Sequence, residues 1–362
     1  MVSHDEQSTA GHAADALSGV EEPLTTKEGW RRFVERQPVV PDQHDPTTVE
    51  LLDPAEREAH DEARRIYHAD LPLANTPTIQ QVITAARLLV QLNRSQVSAR
   101  RGLIVSGESG TGKTTALTQL GRTHERVSRR RHPHDKHRLP VIYVTVPPAS
   151  TPRMLAMEFA RFLGLSFTGR VNITDVVDAV CHTASRTGVE LVLVDELHNL
   201  NLATRAGAEV SDQLKYFAER LAATFVYAGI DVEAAGLFAG VRGRQIAGRF
   251  TVIPARPFAC GTAEQREQWR ALVATMESTL RLHRHKPGAL ARMEYLYRRS
   301  GGMIGSLSQL VRGAAILAIE EGSEQITRAL LDIVPVDHAA ERAAQRIGGN
   351  SSAARGSPRV AG

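Results

Sequence analysis

Five short apolar segments, alternating with helical ones, constrain the fold of this 362-residue chain more than any other feature. Strands are predicted at 103–106, 141–146, 191–195, 224–229 and 250–253. Helices are predicted between them, at 152–163, 174–187 and 207–222. Strands that are apolar throughout are typical of a parallel sheet whose two faces are both covered by helices. The pattern therefore predicts an α/β domain built on a parallel five-stranded sheet.

The flanking parts of the chain differ from this domain in composition and periodicity. The first part is polar and acidic, which predicts a mostly disordered arm with a short helix around Trp30–Val34. The part after Pro257 has only helical patterns, which predicts a small all-helical unit. Its predicted helices are 263–282, 288–299, 305–321 and 325–333. The predicted divisions are an arm, 1–45, a helical segment, 46–100, the α/β domain, 101–258, a helical lid, 259–334, and a loose tail, 335–362.

A glycine-rich loop, GESGTGKT, lies between the first predicted strand and a predicted helix. Glycines let the backbone turn tightly, so that several N–H groups and the helix N-terminus point at one phosphate group. In this spacing Lys113 is expected to contact the β- and γ-phosphates of ATP, and the Thr114 hydroxyl to bind Mg²⁺. The predicted nucleotide-binding residues are Gly107, Glu108, Ser109, Gly110, Thr111, Gly112, Lys113, Thr114 and Thr115.

Two adjacent acids end the third predicted strand. Asp195 and Glu196 follow the apolar run 191–194, at the edge where open parallel sheets bind ligands. We expect Asp195 to hold Mg²⁺, directly or through water, and Glu196 to orient and deprotonate an attacking water. An acidic pair at a strand end is also common without any function, but here it follows a phosphate-binding loop. Together the two segments predict ATP hydrolysis.

Hydrolysis also needs positive charge on the phosphate that is transferred, and Arg249 is the predicted catalytic source. It follows a helix predicted at 243–248 and precedes the last strand. If Arg249 served a neighbouring subunit, oligomerisation would become a condition for turnover. The alternative is a surface arginine without this role, and Arg242 and Arg244 are weaker candidates.

The net charge of +4 is distributed unevenly, and residues 122–138 are strongly basic. Such a stretch suits nucleic-acid phosphates, although a solvated loop has the same composition. His132, His134 and His137 lie within it, but no acidic or thiol partner recurs beside them. A solvated loop is therefore favoured over a metal site there.

For some other residues, packing is favoured over a function. They are Tyr67 and the helix 78–92, as candidates for contact with adenine, and His198, as a sensor of the γ-phosphate. Residues 1–20 lack a basic start and an apolar stretch, and no apolar run is long enough to span a membrane. Cys181 and Cys260 have no metal-type spacing. These observations predict a cytoplasmic protein without a membrane span.

Together these segments resemble the AAA+ ATPases and, more narrowly, the TniB/TnsC group of transposition proteins. The resemblance covers roughly residues 50–335, and its more specific parts are 138–164, DELHNL (195–200), QIAGRF (245–250) and SGGMIGSLSQLVRGAA (300–315). It implies a P-loop AAA+ core with a parallel five-stranded sheet and a helical lid. It also implies a homo-oligomer that assembles on duplex DNA with ATP and contacts a partner transposase.

The resemblance assigns roles to matching residues: Gly107–Thr114 to the phosphates, Asp195 and Glu196 to the magnesium ion and the water, and Arg249 to the arginine finger. Two positions depart from the family pattern. Relatives have a polar residue near the end of the fourth strand, where this chain has Ile230. Many AAA+ proteins have an arginine in the lid that reaches the nucleotide, and here Gly305 ends a stretch without one. We therefore expect either that turnover is slow or that ATP acts mainly as an assembly switch.

Three functions fit these features to different degrees. The leading hypothesis is an ATPase on DNA that presents a target and recruits a DDE-type transposase, which performs cleavage and joining. A signalling or defence switch, or a helicase-loader-like AAA+ protein, would use the same module without being dedicated to transposition. A small-molecule kinase is less favoured, because Asp195 and Glu196 suit an attacking water rather than a substrate hydroxyl.

Overall fold

The structure is a computed structural model. It describes residues 22–71, 75–169, 171–200, 205–232, 248–292, 294–337 and 340–341. Several sequence predictions lie outside the described residues: residues 1–21 of the arm, residues 342–362 of the tail, and most of the helix predicted at 243–248, together with Arg242 and Arg244.

Helices and strands alternate through the middle of the chain, as the apolar pattern predicts. The strands are β1 (Gly102–Ser106), β2 (Val141–Thr145), β3 (Leu191–Asp195), β4 (Thr224–Gly229) and β5 (Phe250–Pro254). The helices up to the fourth strand are α1 (Lys27–Glu35), α2 (Pro46–Leu51), α3 (Pro54–Ala69), α4 (Pro77–Asn93), α5 (Lys113–Arg131), α6 (Pro152–Phe162), α7 (Ile173–Arg186) and α8 (Arg205–Arg220). The helices after β5 are α9 (Ala263–Glu277), α10 (Glu294–Ser300), α11 (Ile304–Glu320) and α12 (Arg328–Ile333).

The five strands form one sheet in the order β2-β3-β4-β1-β5, and every neighbouring pair is parallel. The predicted fold class is therefore confirmed. The residues of β1, β3 and β4 are all buried, because α4 and α5 cover one face of the sheet and α6, α7 and α8 pack together on the other. In a parallel sheet all the carboxyl ends meet at one edge, which places the ends of β1, β3 and β4 side by side.

The helical segment before the sheet divides between two hydrophobic cores. Helix α4 begins after its cap Thr76, whose hydroxyl accepts a hydrogen bond from the Ile79 amide, with Pro77 at the first position. This helix packs on the sheet, whereas α3 packs on α11 of the lid. The buried Arg64 of α3 donates hydrogen bonds to Glu324, at 2.7 and 2.8 Å. The sequence pattern indicates the helices but not this division.

The arm is more ordered than its composition suggests. The short helix predicted around Trp30–Val34 is present as α1, and its Trp30 is fully buried in the main core. The acidic and polar residues of α1 occupy its exposed face, while a few large apolar residues bury the other. Average composition therefore hid an amphipathic helix.

Among the described residues, no single helix is long and apolar enough to cross a bilayer. The pair α10 and α11 passes on length and composition only when the two are counted together, and they are bent by 119° at the break.

Candidate nucleotide-binding site

The phosphate-binding loop predicted from the sequence joins β1 to α5 at the carboxyl edge of the sheet. Gly112 has a φ of 87°, in the left-handed region that favours glycine, and directly precedes the helix that starts at Lys113. Its carbonyl accepts the Ala116 amide, so the first amides of α5 remain free of intrahelical partners and point out of the helix. This is the geometry with which a helix N-terminus binds an anion.

The loop and the two acids line one cavity of about 360 Å³. Lys113 and Thr114 enter it from the loop, and Asp195 and Glu196 enter it from the end of β3. The other residues around the cavity are Ser109, Gly110, Gly112, Thr115, His198, Gly229, Ile230 and Gly305. The structure thus brings both predicted acids together with six of the nine predicted loop residues, although they are far apart in sequence, whereas Gly107, Glu108 and Thr111 do not line this cavity.

The Lys113 ammonium is held inside the loop. Its Nζ donates a hydrogen bond to the Glu108 carbonyl oxygen at 2.7 Å. Burial lowers the pKa of Lys113, while the nearby carboxylates of Asp195, Glu196 and Asp231 act in the opposite direction. A phosphate anion next to Nζ would add to the second effect and stabilise the charged form.

Asp195 is almost completely buried, and both of its oxygens accept hydrogen bonds. The Tyr143 hydroxyl donates to Oδ2 at 3.1 Å, and the Glu196 amide donates to Oδ1 at 2.8 Å. Burial and the Asp195 carboxylate raise the pKa of Tyr143, so the phenol keeps its proton and remains a donor. The carboxylate therefore has a fixed orientation. Sequence patterns give no sign of Tyr143, which lies one strand away.

Glu196 projects from a strained turn. Its φ is 58°, a left-handed conformation that non-glycine residues adopt at an energetic cost, often at functional sites. Its carboxylate is part exposed and lies 3.2 Å from Nε2 of His198. Because His198 follows on the short 3₁₀ helix Leu197–Asn199, the turn holds both side chains at the cavity. The predicted contact of His198 with a γ-phosphate stays a prediction.

The lid closes one side of the loop through its backbone. The Gly305 amide at the start of α11 donates to the Gly110 carbonyl at 3.0 Å. A Cβ on Gly305 would lie 3.3 Å from that oxygen, so the departure at this position fits the close contact. Ile230 lines the cavity on the other side, where relatives are expected to have a polar residue.

A second cavity, of about 210 Å³, adjoins the first and lies between the lid and the helices before the sheet. It shares Gly112, Thr115 and Gly305 with the first cavity. The remaining lining residues are Leu71, Thr76, Ile79, Met276, Ile304, Ser308 and Arg312. Thus α4 does contribute to a cavity beside the loop.

Two side chains near this second cavity, Tyr67 and Arg312, differ in whether they line it. Tyr67 does not line it; its hydroxyl donates to the Thr279 carbonyl at 3.0 Å, which supports packing. Arg312 does line it, and its Nε donates to the His68 carbonyl at 3.2 Å. No sequence motif indicates Arg312 as a site residue. It lies two helical turns after Gly305 and therefore on the same face of α11.

Arg249 lies at the opposite edge of the sheet. It directly precedes β5, and its carbonyl accepts the amide of Gly102, the first residue of β1. The length of β1 separates it from the loop in its own subunit, by roughly 13 Å along the strand. Its guanidinium is 3.7 Å from the Glu219 carboxylate, and both side chains are partly exposed. Arg249 is therefore out of reach of the phosphate-binding loop in its own subunit.

The basic stretch 122–138 is largely helical, because α5 extends to Arg131. Part of it binds the arm: Arg126 donates to the Val34 carbonyl at 2.7 Å, and Arg129 pairs with Glu35 at 2.9 Å. The exposed side chains include Arg130, Arg131, His132, His134, Lys136 and His137, with the acidic Asp135 among them. No group of histidine, cysteine or acidic side chains with metal-binding geometry occurs in the described part of the chain.

A protein-family comparison decides the identity of this arrangement. The model of the family described as "Bacterial TniB protein" matches residues 73–259, which is more than half of the chain. The chain belongs to the TniB family. It is therefore an AAA+ P-loop ATPase of a transposition-associated family, as the resemblance implies. No curated protein matches the sequence.

Solved structures show the same fold for this TniB protein. The Aeropyrum pernix ORC1 protein, solved in complex with DNA, is 19% identical with a TM-score of 0.54, over 81% of this chain and 71% of that one. The Aeropyrum pernix ORC2 protein, solved as ADPNP–ADP complexes, is 14% identical with a TM-score of 0.52, over 74% and 67%. At these identities the similarity establishes the AAA+ fold alone.

Proposed function

We propose that this TniB protein is an ATP-dependent assembly switch of transposition, which forms an oligomer on duplex DNA and recruits a partner transposase. The main support is the division of the catalytic groups between two edges of the sheet. The loop and both acids lie at the carboxyl edge, whereas Arg249 lies at the amino edge. A subunit with this arrangement needs a neighbour for efficient hydrolysis, which couples turnover to assembly.

The two adjoining cavities fit the two ends of ATP. The cavity around Lys113 has the amides and the ammonium that bind a polyphosphate. The cavity between the lid and α4 is lined by apolar side chains such as Ile79, Met276 and Ile304, which suit a planar base. Arg312 would add a cation at its border. Residues from both cores line this cavity, so ATP would hold the lid against the sheet.

The oxygen groups beside the polyphosphate cavity fit a magnesium ion. Mg²⁺ prefers oxygen ligands and usually keeps several waters beside one or two carboxylates. The Thr114 hydroxyl and the Asp195 carboxylate line the same cavity and are of this type. They would hold the ion, which would neutralise part of the charge on the phosphates.

Hydrolysis is assigned to Glu196 of one subunit and Arg249 of the next. Glu196 is part exposed at the cavity, where it can accept a proton from water. Arg249 would balance the charge that develops on the transferred phosphate. The absence of a polar side chain at Ile230 removes one further contact to the phosphate, which fits slow turnover.

DNA binding is proposed from charge and from family. The exposed remainder of the basic stretch includes Arg130, Arg131 and Lys136, which suit contact with DNA phosphates. The solved ORC1 relative was in complex with DNA. Contact with DNA would then order subunits in a row, so that Arg249 of one faces the loop of the next.

A salt-dependent DNA-binding assay tests this function. We expect the protein to bind a fluorescent duplex with a non-hydrolysable ATP analogue and much more weakly with ADP or with Lys113→Ala. Electron microscopy of the analogue complex should show regular protein along the DNA. DNA binding that is unaffected by nucleotide would contradict the switch, and retention of a DDE-type transposase by the DNA-bound assembly would test recruitment.

Charge reversal locates the DNA contact. The double variant Arg130→Glu, Arg131→Glu should lower affinity and reduce the slope of log affinity against log salt by about two. The matched control, Arg57→Glu with Arg87→Glu, makes the same charge change at two exposed positions on α3 and α4. Equal losses in both double variants would mean that only net charge matters.

A further inference from the structure

A continuous set of buried side chains connects the arm to the proposed magnesium ligand. Trp30 of α1 stacks on Tyr143 of β2, with ring centroids 5.6 Å apart and an angle of 13° between the planes. Tyr143 in turn donates its hydroxyl to Asp195 at 3.1 Å. All three side chains are buried, with at most 3% of any residue exposed. Trp30 and Tyr143 are not part of the nucleotide-binding motifs.

The indole of Trp30 packs into a space on α5 that fits it. Gly121 in the middle of α5 leaves room for the indole, since a Cβ there would lie 2.6 Å from the Trp30 ring. Glycine inside a helix is destabilising by roughly 0.5–1 kcal/mol relative to alanine, so its presence favours a packing reason. The indole N–H donates to the buried Glu125 carboxylate, whose other oxygen accepts from Arg129. The ring therefore has one defined position.

The strand register explains how Tyr143 reaches Asp195. Thr145 of β2 is paired with Asp195 of β3, and Tyr143 is paired with Leu193. Because side chains alternate along a strand, Tyr143 and Asp195 project from the same face, one step diagonally apart. A tyrosine spans that distance, whereas a phenylalanine presents the same ring without a donor.

We propose that Tyr143 is a positioning residue for the magnesium ligand Asp195, and that Trp30 of α1 acts on the same ligand by holding the Tyr143 ring. The inference rests on the proposed ATP- and magnesium-binding function of the site. It assigns to the arm helix a partner inside the molecule, namely the end of β3. The packing of α1 and the orientation of Asp195 would then depend on each other.

Magnesium dependence of nucleotide binding tests the role of Tyr143. Tyr143→Phe keeps the stacked ring and removes the hydroxyl. We expect the magnesium concentration needed for half-maximal binding of a fluorescent ATP analogue to rise about tenfold, as for other groups that orient a metal ligand. Affinity for the analogue in EDTA and the melting temperature should remain as in the wild type.

Tyr227→Phe is the matched control, because Tyr227 is also a buried strand tyrosine but lies on β4 and stacks on Phe250. It should need the same magnesium concentration as the wild type. If Tyr143→Phe and Tyr227→Phe needed the same magnesium concentration for half-maximal binding, this inference would be overturned, but the proposed function would stand. A wild-type protein without magnesium-dependent nucleotide binding would overturn both the inference and the proposed function.

A double-mutant cycle tests the part of Trp30. Trp30→Leu should raise the magnesium requirement, but the double variant Trp30→Leu, Tyr143→Phe should be no worse than Tyr143→Phe, because both changes act through one hydroxyl. Additive effects would mean that Trp30 does not act through Tyr143. Fluorescence of Trp30 gives a second measurement, with the only other tryptophan of the sequence removed by Trp269→Phe. Trp30 emission should change when magnesium is added together with the ATP analogue. This change should be lost when Tyr143→Phe is also present.

Discussion

The carboxyl and amino edges of the sheet differ in how many groups of the proposed nucleotide site they contain. At the carboxyl edge, the loop around Lys113, the Asp195–Glu196 pair and the lid surround one cavity. At the amino edge, Arg249 has a partly exposed partner, Glu219, and is separated from the loop of its own subunit by the length of β1. In the proposed function, these two edges are complementary halves of one hydrolytic site. Assembly is what would bring them together.

Removal of Arg249 tests this comparison most directly. Arg249→Ala should reduce turnover on the order of 10³-fold, because an arginine on the transferred phosphate stabilises charge in the transition state. Binding of ATP by a single subunit should be unaffected. Steady-state ATPase assays with and without DNA provide the measurement.

A mixture of two inactive proteins then shows whether the arginine acts between subunits. Arg249→Ala and Glu196→Gln should each be nearly inactive, but a random equimolar mixture should recover activity at about a quarter of its sites. Those sites pair an intact Glu196 with an intact arginine. If the mixture recovered no ATPase activity, or if Arg249→Ala kept wild-type turnover, the two edges would not act together in hydrolysis.

Glu196→Gln separates binding from hydrolysis at the carboxyl edge. We expect turnover to fall about 10²–10³-fold, because the amide cannot take the proton of the attacking water. ATP binding should persist, and ATP-bound assemblies on DNA should last longer. Normal hydrolysis by this variant would remove Glu196 from the proposed role.

Lys113→Ala should weaken nucleotide binding roughly 100-fold, through loss of charge-assisted contacts to the phosphates. Isothermal titration with an ATP analogue measures the change. Lys136→Ala, at an exposed lysine far along the chain from the loop, is the control and should bind as the wild type does. Similar losses in both variants would indicate an effect of net charge.

Glu219→Gln has the smallest expected effect. The Arg249–Glu219 pair is partly exposed and 3.7 Å apart, and such surface pairs contribute little to stability. Turnover should change by less than about twofold, and thermal unfolding should be nearly unchanged. A large loss would mean that Glu219 sets the orientation of Arg249 and that the amino edge is more organised than its exposure indicates.

The sequence by itself determined the fold class and the placement of the loop and the two acids at the carboxyl edge. Apolar runs predict each strand, and the loop and acids follow β1 and β3 directly. Local signals suffice for these features, because a parallel sheet places all strand ends together whatever the details of packing. The assignment of Arg249 as a catalytic group remains a prediction, although its position excludes action on its own loop.

Only the tertiary structure decided which distant residues support that site. Trp30, Tyr143 and Arg312 have no motif, and each reaches its place through contacts between segments far apart in the chain. The arm illustrates the reason. Its average composition predicts a mostly disordered segment, yet the buried Trp30 beside Gly121, together with contacts from Arg126 and Arg129, docks a helix. Burial depends on the shape of the surface that receives a side chain, and that surface exists only after folding.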